Sequence, residues 1–468
     1  MAEERRLRIL LWIVAIAFFM QTLDATIVNT ALPAMAASLG ESPLKMHSVV
    51  ISYSLAMATL IPASGWLADR FGTRRVFLAA ILVFSLGSLA CALSQSLAQL
   101  VASRVLQGIG ASMLLPVGRL AVLRAFPRER FLAAMAFVTV PGLIGPLIGP
   151  TLGGWLVEYT TWHWIFFINL PVGAIGCFMA WRYMIDARRS DIGHFDLVGY
   201  LLLAFSMVAV SVAIDGLSDL HFGHATVVLL LMFGFAALAA YWLRAARRED
   251  ALFPLELFSI NTFSVGILGN LFARIGSGAM PFLIPLLLQV CLGYTPAQAG
   301  MMLIPVAAAA MLSKRLAPKL IRRFNYRPVL LVNTLLVGGT IASFALITEG
   351  QPVWLLVAHL AAFGLVNSLQ FTAMNTITLF DLEGANASSG NSLLSMVMML
   401  SMGLGVATAG GLLAAFDSME GYGVRALATF QATFITVGLV TCASAWIFWQ
   451  LVPDAGRARR TDRDAGMD

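Results

Sequence analysis

Gly65-Trp66-Leu67-Ala68-Asp69-Arg70-Phe71-Gly72-Thr73-Arg74-Arg75 separates an apolar run that starts near Val49 from another that ends near Leu93. A charged connection this short between two membrane-length runs reads as a hairpin of spanning helices. Gly65 and Gly72 let the two helix ends approach and turn. Asp69 closes one helix, where the next helix start and a neighbouring Arg can both satisfy it. Arg70, Arg74 and Arg75 give the connection a cytoplasmic sign. A plain basic loop accounts for the arginines. It leaves Gly, Asp and Gly at this spacing without a reason.

The rest of the chain has the composition this hairpin needs. Its 468 residues are 59% hydrophobic and 12% charged, against about 45–50% apolar and about 25% charged in soluble domains. The fold class is therefore an all-α polytopic membrane protein. The net charge of +6 is no nucleic-acid footprint, because the basic residues fall in short loops between apolar runs, where they set topology. Cys91, Cys177, Cys291 and Cys442 each lie in or beside an apolar run with no CxxC pair. They read as packing thiols, with no disulfide framework and no metal site. Arg5, Arg6 and Arg8 precede the first apolar stretch, which lacks a small-residue cleavage site and reads as a retained first span. No Gly-Lys-Ser/Thr phosphate loop is present, which argues against transport driven by the chain's own ATP hydrolysis, and no nucleophile–base pair or metal set is visible within a span, so no enzyme is expected.

Runs of about 20 apolar residues predict spans near 9–31, 47–68, 76–94, 98–123, 131–157, 162–183, 197–215, 225–243, 262–290, 297–320, 328–347, 352–376, 388–414 and 427–451. The N-terminal tail and the loops near 70–75, 124–130, 182–189, 244–248, 319–327 and 457–463 are basic. This bias places both termini in the cytoplasm. Asp381 and Glu383 break it locally. Lys319-Leu320-Ile321-Arg322-Arg323-Phe324-Asn325-Tyr326-Arg327 stands where a second copy of the opening connection would fall, with Arg322 for the aspartate and Asn325 for a glycine. The copies lie eight spans apart. Two six-helix bundles with two inserted helices between them give that spacing, and repeated halves around a midplane site are a transporter architecture. The expected division is 1–190, 191–255 for the inserted pair, 256–452, and a cytoplasmic tail at 453–468.

Four further stretches carry a resemblance. They are Leu23-Asp24-Ala25-Thr26-Ile27-Val28-Asn29-Thr30-Ala31-Leu32-Pro33, Arg104-Val105-Leu106-Gln107-Gly108-Ile109-Gly110, Gly145-Pro146-Leu147-Ile148-Gly149-Pro150-Thr151-Leu152-Gly153-Gly154 and Trp162-His163-Trp164-Ile165-Phe166-Phe167-Ile168-Asn169-Leu170-Pro171. With the opening hairpin they resemble the fourteen-span drug:proton antiporter branch of the major facilitator superfamily, over nearly the whole chain. The resemblance implies the major facilitator fold of about fourteen helices. It implies proton-coupled export by alternating access in a bacterial cytoplasmic (inner) membrane. In that family the opening hairpin (Gly65, Asp69, Arg70, Gly72, Arg74) acts as a gating latch. The fifth-span motif (Gly145, Pro146, Gly149, Pro150, Gly153, Gly154) goes with antiporters; a plain small-residue packing face is the alternative. The expected partners are a small-molecule substrate, protons and the bilayer. The chain is expected to act as a monomer, with no nucleic acid and no cofactor.

Asp24 is the clearest candidate for chemistry, because a carboxylate inside a span is costly and marks function by default. It lies about seven residues, roughly 10 Å, below the outer end of its span, and Arg104 lies at nearly the same depth in the fourth. The two can meet, as a proton-coupling site or as a static ion pair. Gln107, one turn on, can orient Arg104; Arg119 reads as a topology residue. Gln21, Gln107, Arg274, Lys314, Arg315, Asn367, Gln370 and Asn391 are candidates for the substrate cavity. Lys314 and Arg315 can instead snorkel to the interface. His359, Asn367 and Gln370 fall within about 80° on a helical wheel, facing either the cavity or a neighbouring helix. The resemblance implies multidrug efflux, with lipophilic drugs, often cations, as cargo; the interior holds more cations than acids, so Coulomb attraction in a dry cavity makes an organic anion such as citrate or a metal–citrate chelate the alternative. Asp219, His221 and His224 resemble a metal cluster by type, but no fourth ligand is fixed nearby.

Overall fold

The computed structural model describes residues 2–126, 128–186, 195–216, 224–248, 251–382, 384–420 and 427–453. Asp219, His221, Glu383, residues 187–189 and the tail from 454 lie outside them, as does the side chain of His224.

Fourteen long helices carry the chain. They are α1 (Ala2–Leu39), α2 (His47–Phe71), α3 (Thr73–Ala92), α4 (Leu97–Ala125), α5 (Arg128–Tyr159), α6 (Asn169–Tyr183), α7 (Leu197–Gly216), α8 (His224–Ala245), α9 (Asn261–Leu286), α10 (Ile304–Phe324), α11 (Tyr326–Ser343), α12 (Val353–Leu379), α13 (Gly384–Glu420) and α14 (Leu427–Ala443). Thirteen helices among the described residues are long and apolar enough to cross a membrane. The 32-residue α5 runs along α1 beside them. The fold is all-α and polytopic.

Three expected spans are broken. A short turn, Trp164–Phe167, leads into α6, and Ala445–Trp449 follows α14. The tenth begins as a separate helix, Pro296–Met302, opened by proline at its first position and by a capping box between Thr295 and Gln298. α1 and α13 overrun their apolar runs at both ends, since helical hydrogen bonding continues where the apolar composition stops.

The opening hairpin turns at Gly72, whose φ of 95° is left-handed. Gly65 stands inside α2 with open space where a Cβ would be, so the turn and the close approach both belong to Gly72 and the expectation for Gly65 is corrected. Asn325 makes the matching turn between α10 and α11 at φ 65°, the one non-glycine residue with positive φ among the described residues. The sequence repeat is thus also a repeat of backbone conformation.

Helices α1 to α6 pack mainly on one another, α1 on α5 and α3 on α4, as do α9 to α14, with α9 on α13 and α10 on α12. α7 packs on α8 and leans on both α2 and α13. Ala58, Leu203, Met207, Tyr241, Phe263 and Leu394 share one apolar cluster there. The inserted pair therefore rests against both sets of six.

The end of the molecule remote from the termini is packed shut. Gly154 lies against the Pro296 carbonyl and Gly300 against Pro150 and Thr151, so close that a Cβ at either would collide with backbone. The Thr151 hydroxyl donates to the Gly300 carbonyl (3.2 Å), and Gln289 Nε2 to the Thr30 carbonyl (3.0 Å). Gln289 stands in a π-helical turn, Leu287–Cys291, a distortion that often marks functional positions.

The Glu158 carboxylate accepts the Ala297 N–H at 2.9 Å across the same seam. Its hydrogen bonds from the Thr295 hydroxyl and the Ala297 N–H hold it below the usual carboxylate range. The sign follows: a carboxylate with a depressed pKa supports the closed seam above its ordinary pKa and loses that support as pH falls through the depressed value. Labelling of Ala297→Cys, corrected for the loss of thiolate in acid by an exposed reference cysteine, should therefore rise as pH falls. The rise should be smaller in a Glu158→Gln background, and an equal rise in both would remove Glu158 from the closure.

Candidate transport site

The site begins with how α1 meets α5. Gly145, Gly149 and Gly153 recur every fourth residue, so one face of α5 has no side chains. Thr22, Thr26, Ile27 and Thr30 of α1 fill that face, and a Cβ at any of the three glycines would collide with them. Thr22 and Thr26 satisfy their hydroxyls on the carbonyls of Phe18 and Thr22 within α1. Pro141, Pro146 and Pro150 are carried inside α5 without ending it, as neighbouring helices allow in a membrane. This close packing fixes the rotation of α1 and turns Asp24 toward α4.

Asp24 is fully buried, and Arg104 is 1% exposed. Arg104 Nη1 donates to Asp24 Oδ2 at 2.7 Å. Gln107 Nε2 and Asn169 Nδ2 donate to Asp24 Oδ1 at 2.7 and 2.9 Å. Arg104 also donates to Gln107 Oε1 (2.6 Å) and to the Val49 carbonyl (3.2 Å), with its guanidinium 4.0 Å from the Tyr53 ring centroid. Ser88 Oγ accepts from both carboxamides, at 2.8 and 3.3 Å. The expected meeting of Asp24 and Arg104 is present, with Gln107 as the orienting group. Removing two charges from water costs several kcal/mol each, which is offset only when every donor and acceptor is placed. Three donors on one carboxylate meet that condition.

The hairpin at the terminal end is held from two sides. Asp69 pairs with Arg124 of α4. Asp186, just past α6, accepts the Arg74 N–H at 3.3 Å and lies 3.7 Å from Arg75 Nε. The carboxylate of Asp186 occupies the space beside Gly72 where a Cβ would fall. Arg70 ends α2. Asp69 is about one-quarter exposed, so its ion pair acts mainly as a geometric tie between α2 and α4. Asp69→Asn should shift cysteine accessibility between the two membrane sides several-fold while substrate affinity changes less than about twofold. Unchanged accessibility with a large loss of affinity would contradict a latch.

In the second set of helices, Arg274 of α9 donates to Asn270 Oδ1 (2.7 Å) and Asn375 Oδ1 (3.3 Å) and lies 4.6 Å from the Phe371 ring centroid. Its buried Nε has no partner, and no carboxylate lies within ion-pair distance among the described residues. Gln21 is buried three residues before Asp24, with its Oε1 unpartnered. Lys314 and Arg315 are exposed on α10, and Asn367 and Asn391 are half-buried. Gln370 is turned to α11, where it accepts from Asn333 and donates to Thr334. His359 bonds within its own helix and packs on Phe344. The expected α12 stripe thus divides, because a buried carboxamide gains more from a helix–helix hydrogen bond than from an open cavity.

Asn169, Ser88, Tyr53, Asp186, Asn270 and Asn375 were not legible as site residues. Asn169 left one signal, as the polar residue after the aromatic run Trp162–Phe167. The others are ordinary polar residues until helices from elsewhere in the chain approach them.

Comparison with known proteins completes the site. The Major Facilitator Superfamily is matched over residues 14–239 and 266–466. A Pectobacterium atrosepticum protein named "Putative multidrug resistance protein MdtD" is 49% identical over 457 residues, 97% of this chain and 98% of its own length. Proteins of the same name from Yersinia enterocolitica and Salmonella typhimurium are 48% and 49% identical, over 98% and 95% of each chain.

Proposed function

The chain belongs to the Major Facilitator Superfamily and is a multi-pass membrane transporter, and from that premise we propose that it exports small molecules by proton-coupled alternating access. The carrying observation is the fully buried Asp24–Arg104 pair with its three donors. A carboxylate in a span is the group able to exchange a proton when access changes. Protonation would discharge Asp24, leave Arg104 seeking another acceptor, and loosen α1 from α4 and α6. The packed end remote from the termini supports an inward-facing conformer, with both termini in the cytoplasm of a bacterial inner membrane. The glycine contacts of α5 are the surfaces that would part on opening outward. The relatives' name favours drugs as substrates.

A second reading has an observation of its own. Arg274 is a half-buried cation with no carboxylate within ion-pair distance among the described residues, held by two carboxamide oxygens and a ring. An arginine so placed is suited to a carboxylate by two parallel bonds, which favours an organic anion such as citrate or its metal chelate. Counterflow in proteoliposomes, across a panel of cationic drugs, citrate and iron-loaded citrate, tests both readings. Proton-independent counterflow without any substrate-dependent proton movement would overturn the coupling.

A further inference from the structure

We propose that Asn169 is the positioning residue that lets Asp24 take up a proton while buried, by turning its carboxamide from donor to acceptor. The inference rests on the proton-coupled reading above and assigns a residue outside the Asp24–Arg104–Gln107 set.

The argument is one of donors and acceptors. In the charged state Asp24 is ringed by donors: Arg104 from α4, Gln107 from α4 and Asn169 from α6. A protonated carboxyl gains an O–H that needs an acceptor, and a buried donor left unmet is costly. Arg104 has no acceptor to offer. Gln107 Oε1 already accepts from Arg104 at 2.6 Å and from the Cys91 thiol at 3.8 Å. Tyr53 presents its ring face to Arg104, and its buried hydroxyl makes no hydrogen bond to Asp24.

Asn169 is different in place and chemistry. It is 2% exposed and begins α6, directly after the break that follows Trp164–Phe167. Its Nδ2 donates to both Asp24 Oδ1 (2.9 Å) and Ser88 Oγ (3.3 Å). Rotating the amide by half a turn places Oδ1 where Nδ2 stands. The Asp24 O–H then donates to Oδ1, and the Ser88 hydroxyl reverses to donate to the same oxygen. Ser88 keeps the Gln107 bond as acceptor throughout. One proton arrives on Asp24, and the two hydrogen bonds made by Asn169 Nδ2 reverse direction. A carboxamide serves both states in one volume; a carboxylate or an alkyl group serves at most one.

Because Asn169 is the first residue of α6, the exchange also reports the charge on Asp24 to a helix that packs on α1 and α3.

The test compares Asn169→Leu, which has the same branching at Cγ and no polar atom, with Asn169→Ser, which keeps a donor and an acceptor. Proton-driven transport is measured against pH in proteoliposomes, beside the infrared carboxyl band of Asp24 assigned by Asp24→Asn. In Asn169→Leu the charged form loses a charge-assisted bond and the protonated form a weaker neutral one, so the pH midpoint should move by about one unit, the scale of that difference, and the protonated-carboxyl band should shift to the frequency of a weakly bonded group. Asn169→Ser should restore part of both. If Asn169→Leu does not fold, the Asn169→Ser midpoint and band carry the test, an intermediate value being expected. A wild-type midpoint and band in either variant would overturn the inference. Retained proton-driven transport in Asp24→Asn would instead overturn the coupling reading beneath it, so the two failures are distinct.

Discussion

Asp24→Asn should reduce proton-driven uptake into inverted vesicles by about 100-fold, a loss on the scale of removing a positioned proton-transfer group. The substitution keeps the shape of the side chain and can still accept from Arg104. What it removes is the charge. Arg104 then stands buried without a counter-ion, and breaking a buried pair from one side costs about 3–5 kcal/mol. Asp24→Asn alone therefore confounds lost coupling with lost stability. The double variant Asp24→Asn/Arg104→Gln separates them, because it removes both charges and leaves hydrogen-bonding groups behind. Its thermal midpoint in detergent should return toward wild type while proton-driven transport stays absent. Restored transport in the double variant would reduce the pair to a structural tie and remove Asp24 from the proton path.

Arg274→Gln should distinguish the two substrate readings. If the cargo is an organic anion, losing its fully charged partner costs about 2–5 kcal/mol, or roughly 30-fold to a few thousand-fold in affinity at 1.4 kcal/mol per decade. Arg274→Lys should recover part of this, since it keeps the charge but not the planar fork. The Asn270 and Asn375 carbonyl oxygens would remain in place to hold the new ammonium. If the cargo is a lipophilic cation, the same change removes a repulsion, and transport should be equal or better. Citrate and ethidium measured side by side in wild type and Arg274→Gln decide the matter. Ethidium transport lost, with no citrate transport in either protein, would sink the anion reading.

The sequence by itself determined the order of the helices, the repeat of the opening hairpin, and the depth at which Asp24 and Arg104 stand, and it set the side of each loop as an expectation. Each follows from a rule that acts along the chain. A span needs a run of apolar residues, a loop shows its side by its charges, and depth is a count of residues at constant rise. The Asp24–Arg104 contact was legible for that reason, since two residues at one depth in packed helices have few places to go. The tertiary structure decided rotation. Whether Gln370 turns to a cavity or to Asn333, whether Asp69 finds Arg70 or Arg124, and whether Asn169 reaches Asp24 depend on the angle of each helix about its own axis. That angle is set by packing between helices distant in the chain, as where the glycine face of α5 takes up the threonines of α1. A single strand of sequence carries both surfaces but not their pairing. For the same reason Gly65 and Gly72 look alike in the sequence and differ in the fold, one inside a helix with room to spare, the other at a left-handed turn against Asp186.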